Sequence, residues 1–213
     1  FSFSANKLVG ADIFLDEASV TATENAVMAA SVAEGTTIIQ NAASEPHVQD
    51  LCNMLNSMGA KISGVGSNIL TIEGVKKLHG CEFVIGPDTI EIGSYIGMAA
   101  ATHGQITIKG IRPQEMRPLK NSFAKLGISW RIDGDELTVP NTQELKVNAD
   151  MGNAIPKIDD MPWPGFPADL TSIMTVVATQ VEGTVLIFEK MFESRMFFVD
   201  KLISMGAKIT LCD

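Results

Sequence analysis

The residue with the clearest chemical potential is Asp169, because it closes a stretch of unusual rigidity. Residues 159–172 read DDMPWPGFPADLTS, with three prolines, a tryptophan and a glycine before that carboxylate. Proline fixes the backbone and lowers the entropy lost when a loop becomes ordered. Two interpretations are open at this point: Asp169 caps the helix that follows, or it is a positioned carboxylate that acts as a base or a ligand.

Other sources of chemistry are sparse. The sequence has no GxGxxG or Walker A motif, and its three histidines form no metal-ligand spacing, so we expect neither a cofactor nor a metal ion. An odd number of scattered cysteines predicts free thiols and a reducing compartment. These cysteines are Cys52, Cys81 and Cys212.

Composition limits the partners. The 213 residues carry a formal net charge of -9, which argues against nucleic acid, although local cations or helix N-termini still permit a small anionic substrate. No run approaches the roughly 20 apolar residues that a membrane-spanning helix needs. We therefore expect a cytoplasmic protein without membrane or nucleic-acid partners.

The elements that must position Asp169 follow from an internal repeat. Three segments share a glycine before a strand and a second glycine after a helix, and the two glycines lie 24, 23 and 23 residues apart. This agreement between two landmarks predicts a repeated fold. The glycine pairs are 35 and 59, 104 and 127, and 183 and 206.

Each copy predicts an α/β unit of the order β-α-β-α-β-β. The second copy is predicted to begin with a strand at 82–86 (EFVIG). The third is predicted to begin with a strand at 145–149 (LKVNA), to place a helix at 194–205 and to finish with a strand at 207–213. Because this last copy lacks a strand, we expect a piece of a longer protein, or a chain that needs a partner.

The third copy also carries about ten more residues than the second before its first glycine. They fall in the stretch 151–169, which we interpret as an insertion between a strand and the helix that follows it. The mixed-charge stretch 144–160 is interpreted as solvated loop. The proline-rich approach to Asp169 is thus predicted to be an elaboration of the repeat.

Several segments carry a family resemblance. They are ASVTATENAVMAA (18–30), the stretch 34–75, PDTIEIGSY (87–95), PGFPADL (164–170) and EKMFESRMFFVDKLISMGA (189–207). In this order and spacing they resemble the UDP-N-acetylglucosamine 1-carboxyvinyltransferases, a family of enolpyruvyl transferases. The resemblance runs from about Leu8 to Cys212.

The resemblance implies a fold of two lobes, each an inside-out α/β barrel built from three β-α-β-α-β-β units. Residues 1–78 would be the last unit of one lobe. Residues 79–213 would be the first two units of the other lobe, the second of them incomplete. The remainder of the same enzyme is then an implied partner.

The resemblance also implies an activity. Family members transfer enolpyruvyl from phosphoenolpyruvate to the 3-hydroxyl of UDP-N-acetylglucosamine, the first committed step of peptidoglycan synthesis. The Asp of the family's PxFPxD segment takes the hydroxyl proton, and here that residue is Asp169. The chain alone is expected to be inactive, because the family's phosphoenolpyruvate-binding cations and its loop acid lie outside these residues.

Further site residues are implied residue by residue. Ser19 and Val20 match the segment that binds the nucleotide, and Met191 matches a position that contacts the sugar nucleotide through its backbone. Phe192 and Arg195 lie beside Met191. For Arg195, a substrate anion contact and a structural ion pair remain alternatives.

Two departures keep rival functions open. The chain has Glu17 where the family commonly has Lys, and Thr21 where it commonly has Gly; the added carboxylate would weaken diphosphate binding. One alternative is accordingly a non-catalytic paralogue that binds sugar nucleotide. The other is an enolpyruvyl transferase acting on shikimate phosphate, which shares the fold but not SVTATEN or PGFPAD.

Overall fold

The computed structural model describes Ser2 and residues 4–212. The chain divides into two compact units between Gly86 and Pro87. Each unit has its own core of buried aliphatic side chains.

The first unit contains one complete repeat. Its elements are β1 (Asp12–Phe14), α1 (Val20–Ala30), β2 (Thr36–Gln40), α2 (Pro46–Ser57), β3 (Lys61–Ser63) and β4 (Ile69–Glu73). They form a four-stranded sheet of order β1-β2-β4-β3, in which only the pairing of β1 with β2 is parallel. The predicted order β-α-β-α-β-β is confirmed in this copy.

The pattern of apolar residues explains this unit. Strand β2 turns Thr37 and Ile39 inward, as the period of two in a strand requires. Helix α2 begins at Pro46, whose missing N–H costs nothing at a first helical position. The side chains that the two helices and the sheet bury together are Val27, Ile39, Cys52, Leu55, Leu70 and Ile72.

The end of the first unit differs from the prediction. Residues 82–86 form no strand, and Val84 and Ile85 are 87% and 83% exposed, because no strand among the described residues pairs with them. The segment is instead attached to α2: the Gly86 amide donates to Asp50 at 2.9 Å. The structural division therefore falls eight residues after the boundary placed at residue 78.

The second unit contains the other two copies. Its elements are α3 (Thr89–Ala101), β5 (Ile106–Lys109), α4 (Arg117–Ala124), β6 (Arg131–Asp133), β7 (Glu136–Val139), β8 (Lys157–Asp159), α5 (Thr171–Ala178), β9 (Leu186–Phe188) and α6 (Val199–Ser204). Strands β5, β7 and β6 form an antiparallel sheet in that order. Strands β8 and β9 form a separate parallel pair.

The first strand of the third copy was predicted at the wrong place. It is β8 at Lys157–Asp159, inside the stretch interpreted as solvated loop, whereas 145–149 contributes only an isolated bridge from Lys146 to Glu182. Charged side chains flank the single buried residue Ile158, so the composition of this short strand resembles that of a loop. The insertion accordingly falls on both sides of the strand.

The end of the chain is also less regular than predicted. The last helix, α6, begins at Val199 rather than at 194, and residues 207–212 form no strand; Asp213, the last residue of that prediction, lies outside the described residues. Within the described part of the chain, no helix combines the length and apolar character that crossing a membrane requires.

Helices α3 and α5 pack closely because α3 presents glycines to its neighbour. A Cβ on Gly93 would lie 2.5 Å from Cδ1 of Leu170, and one on Gly97 would lie 2.8 Å from Cγ2 of Ile173. Leu170 is fully buried and directly follows Asp169. The position of the candidate base is therefore fixed by this helix contact.

The contact makes a stability prediction. We expect Gly93→Ala to lower the free energy of unfolding by about 1–3 kcal/mol, because its Cβ would lie 2.5 Å from Cδ1 of the fully buried Leu170. Urea unfolding followed by tryptophan fluorescence measures this, since both tryptophans, Trp130 and Trp163, lie in the second unit. The control is Gly104→Ala, whose nearest neighbour is the exposed Thr102 hydroxyl at 3.3 Å. Equal stability of the two variants would contradict the close packing.

Candidate functional site

The loop before Asp169 is held by its own backbone and by the core. The Gly165 amide donates to the Pro162 carbonyl at 2.8 Å, and the Met161 amide donates to the Phe166 carbonyl at 2.9 Å. Between residues 166 and 170 every second side chain is buried; these are Phe166, Ala168 and Leu170. Asp169 lies between the last two of them and so points away from the core.

Asp169 lies in a short 3-10 turn, Ala168–Leu170, and does not cap helix α5. The cap position of α5 is occupied by Leu170, and that of the turn by Pro167, neither with a side-chain cap bond. The capping interpretation is therefore wrong. The Asp169 side chain is 61% exposed, and its Oδ1 lies 2.7 Å from Nη1 of Arg195.

Arg195 is held by two contacts. Besides the ion pair with Asp169, its guanidinium carbon lies 4.6 Å from the centroid of the Phe192 ring, a cation–π arrangement. Phe192 itself is half exposed. The structure thus forms the ion pair considered for Arg195, while a contact with a substrate anion stays a prediction.

The backbone around Met191 is fixed by a buried acid, Asp160. Its Oδ1 accepts from the Lys190 amide at 2.8 Å, and its Oδ2 accepts from the Met191 amide at 3.1 Å. Asp160 has no solvent exposure. A buried carboxylate is tolerated only with such donors, so these bonds account for its position.

Glu189 lies beside Asp160 and continues this arrangement. Its Oε1 accepts from the Phe192 amide at 3.2 Å. Burial, together with the neighbouring Asp160 carboxylate, raises the pKa of Glu189 above its ordinary value. A raised pKa favours the protonated acid, which limits repulsion between the two carboxyl groups.

Asp159, one residue before Asp160, has the opposite electrostatics. Its Oδ2 lies 2.8 Å from Nζ of Lys190 and 3.1 Å from Nζ of Lys157. The hydrogen bond from Lys190 is the main reason that the pKa of Asp159 is lowered. Consecutive aspartates thus serve a surface ion-pair cluster and a buried backbone anchor.

Sequence reasoning missed the pair Asp160 and Glu189. Both were treated as parts of loops or of a family segment. The available signal was the pair of aspartates directly before the prolines, since one of two consecutive residues at a strand end points inward. That signal does not say which strand end Asp160 would face.

Ser19 and Val20 lie in the first unit, at the start of α1. The Ser19 hydroxyl accepts from the Ala22 amide at 3.3 Å and caps the helix, and Val20 is the first helical residue. The first amides of a helix point toward its N-terminus and favour anions. Glu17 and Thr21, the two departures from the family pattern, are both exposed beside this end.

The candidate residues therefore fall into two groups. Ser19 and Val20 belong to the first unit, and Asp169, Met191, Phe192 and Arg195 belong to the second. In the second group, Arg195 contacts both Asp169 and Phe192, although Asp169 is distant from the other two in sequence. In the described part of the chain, no three or more His, Cys, Asp and Glu side chains cluster in a way that could hold a metal ion.

The profile of one protein family, EPSP synthase (3-phosphoshikimate 1-carboxyvinyltransferase), matches residues 1–213. The chain belongs to the EPSP synthase family. This membership confirms the enolpyruvyl transferase fold that the resemblance implied.

Within this family, the chain is similar to a group of named enzymes. It is 75% identical over 213 residues to the UDP-N-acetylglucosamine 1-carboxyvinyltransferase of Treponema denticola and 64% identical to that of Treponema pallidum. The match covers 100% of this chain and 50% of each relative. The resemblance is confirmed, and the chain spans about half the length of these relatives.

A solved structure supports the fold. The enolpyruvyl transferase NikO from Streptomyces tendae superposes with a TM-score of 0.78 over 99% of this chain and 51% of its own. At 24% identity this likeness concerns the architecture of the EPSP synthase family alone.

The raised pKa of the partly buried Glu189 leads to a prediction about pH. A carboxyl group whose pKa is raised by folding contributes stability below its ordinary value of 4.5, and the contribution is lost as pH rises through the raised value. We therefore expect Glu189→Gln to gain stability relative to the native chain as pH rises from 4.5 toward neutral. Urea unfolding at several pH values measures the difference.

The matched reference for this experiment is Glu193→Gln, which removes an exposed carboxylate from the same segment. It shows how much of the change comes from net charge alone. A difference for Glu189→Gln that stays constant with pH, or follows that of Glu193→Gln, would show that ionisation of Glu189 carries no folding cost.

Proposed function

We propose that the chain is about half of a UDP-N-acetylglucosamine 1-carboxyvinyltransferase and contributes the general base of the reaction. The observation that carries this proposal is the 75% identity across the whole chain to an enzyme of that name. It is supported by Asp169, a carboxylate exposed at the end of a loop anchored in the core. The reaction would supply peptidoglycan synthesis.

The proposed chemistry needs a base because an alcohol is a poor nucleophile at neutral pH. Asp169 takes the proton of the 3-hydroxyl as that oxygen bonds to C2 of phosphoenolpyruvate, while an acid in the rest of the enzyme protonates C3. Loss of a proton from C3 then restores the double bond between C2 and C3 as the bond from C2 to the phosphate oxygen breaks. The products are the enolpyruvyl ether and inorganic phosphate. A base of this kind acts only when it is held close to the hydroxyl, which gives the anchored loop a function.

The ion pair with Arg195 suits this role. The guanidinium binds Oδ1 of Asp169 at 2.7 Å and so fixes the direction of the carboxylate. A carboxylate has a second oxygen, Oδ2, and we assign it to the substrate hydroxyl. Phe192, stacked on the guanidinium, limits where Arg195 can move.

Substrate binding is assigned to the remaining predicted residues. Ser19 and Val20, at the start of α1, suit the negative charge of a nucleotide diphosphate. The Met191 backbone, held by Asp160, suits a contact with the sugar nucleotide.

The first prediction about function concerns the activity of the complete protein. We expect the complete protein encoded by the reading frame that contains these residues to release phosphate from phosphoenolpyruvate when UDP-N-acetylglucosamine is present. The 213 residues alone are expected to give none, because the family's phosphoenolpyruvate-binding cations and its loop acid lie outside these residues. A coupled phosphate assay measures both proteins.

The same assay separates the alternatives. Phosphate release with shikimate 3-phosphate, and none with the sugar nucleotide, would replace the proposal by the shikimate-type reaction. Binding of the sugar nucleotide without any phosphate release would favour the non-catalytic paralogue, for which Glu17 beside α1 is the structural argument. Turnover by the 213 residues alone would contradict the assignment of cations to the rest of the enzyme.

A second prediction tests the base. Asp169→Asn in the complete protein should lower kcat by a factor of about 100 or more, since general base catalysis contributes on the order of 100- to 10,000-fold. The amide keeps the size of the side chain and the exposed position, so the melting temperature should change little. Steady-state phosphate release and thermal unfolding are the two measurements.

The matched control is Asp150→Asn, which removes an exposed carboxylate directly before the insertion without touching the proline-rich loop. Its kcat should equal that of the native enzyme. Full activity of Asp169→Asn would remove Asp169 from the role of base, whatever the result for the overall function.

A further inference from the structure

Asp160 and Glu189 occupy equivalent places at the ends of two paired strands. The last register pair of the parallel strands β8 and β9 is Asp159 with Phe188, so Asp160 and Glu189 are the next residue on each strand. Asp160 is fully buried, and Glu189 lies beside it with Thr171 of α5 also facing the pair. Two acids thus meet at the end of this strand pair, Asp160 fully buried and Glu189 partly buried.

These two acids bind three consecutive backbone amides. Asp160 accepts from Lys190 at 2.8 Å and from Met191 at 3.1 Å, and Glu189 accepts from Phe192 at 3.2 Å. Hydrogen bonds to an ionised acceptor are shorter and stronger than neutral ones. The segment that leaves β9 is therefore fixed at its first three residues.

Asp160 is connected to both segments that carry the ion pair between Asp169 and Arg195. The proline-rich loop runs from Asp160 to Asp169, and the segment bound by its carboxylate runs from Lys190 to Arg195. The two segments meet at their far ends, where Oδ1 of Asp169 lies 2.7 Å from Nη1 of Arg195. The position of each partner therefore depends on the same buried residue.

We propose that Asp160 is a positioning residue for enolpyruvyl transfer: by holding the Lys190 and Met191 amides it sets where Arg195 meets the Asp169 carboxylate. This inference rests on the function proposed above. Asp160 touches no reacting atom and acts through the backbone of the segment 190–195.

The surrounding charges are consistent with this role. Lys190 and Lys157 point to Asp159, so the cations nearby are engaged on the surface side. Glu189, whose pKa is raised, holds its proton more readily than an exposed acid, while the two oxygens of Asp160 accept from the Lys190 and Met191 amides.

The test is Asp160→Asn in the complete protein. Asparagine keeps the shape but offers one acceptor oxygen, and its NH₂ group would face an amide that needs an acceptor. We expect kcat for phosphate release to fall about tenfold or more. The matched control is Asp159→Asn, which removes the neighbouring carboxylate from the surface ion pairs and should change kcat less than about twofold.

Two readouts separate positioning from a general loss of structure. Hydrogen exchange of the Lys190 and Met191 amides should become about tenfold faster in Asp160→Asn, while amides of the β5-β7-β6 sheet stay unchanged. The carboxyl signal of Glu189 in a carbon-13 NMR titration should move to lower pH, since its carboxylate neighbour is gone. A variant that is merely less stable would show faster exchange throughout the unit.

The outcomes are distinct. Native kcat in a folded Asp160→Asn protein would overturn the inference and leave the proposed function standing. A native enzyme without phosphate release would overturn the proposed function and this inference with it, while exchange would still show whether Asp160 fixes the segment. If Asp160→Asn does not fold, exchange in the native protein decides: Lys190 and Met191 amides as fast as those of exposed Ser194 and Arg195 would refute the anchor.

Discussion

The alternation of buried and exposed residues before helix α5 is the constraint on which the candidate site depends. The core encloses Phe166, Ala168 and Leu170, and Leu170 packs against Gly93 of α3. The Asp169 side chain must therefore point to solvent. Proline alone would have made the loop stiff without aiming it. The direction of the Asp169 side chain is set by burial of its apolar neighbours, so its position is fixed as firmly as the positions of the core side chains.

The architecture was largely predictable because it repeats. Two glycine landmarks and the alternation of β-branched and alanine-rich segments defined the β-α-β-α-β-β unit, and the first unit follows it throughout. The prediction of strands failed where the apolar pattern of a segment does not agree with its pairing in the structure. Residues 82–86 have a strand composition but no partner among the described residues, and β8 has a partner but only one buried side chain, Ile158.

The site was predictable only in part. A rigid stretch ending in an acid identified Asp169, and the ion pair with Arg195 was one of two interpretations of that arginine. The buried acid Asp160 and its partly buried neighbour Glu189 were not identified, because a sequence records charge but not which charged residue a fold encloses. The capping interpretation of Asp169 failed for a related reason: a one-turn 3-10 helix precedes α5 and moves the cap position to Leu170.

The unpaired segment 82–86 has a practical consequence. Its side chains Val84 and Ile85 face solvent, and a β-branched segment without a strand partner among the described residues is of the kind that adds to the edge of another sheet. Glu82 and Asp88 flank it with charge, a pattern that slows such association in natural proteins. Preparations of these 213 residues on their own would therefore require dilute, low-salt handling, with mutual repulsion of the acidic surfaces as the main safeguard of solubility.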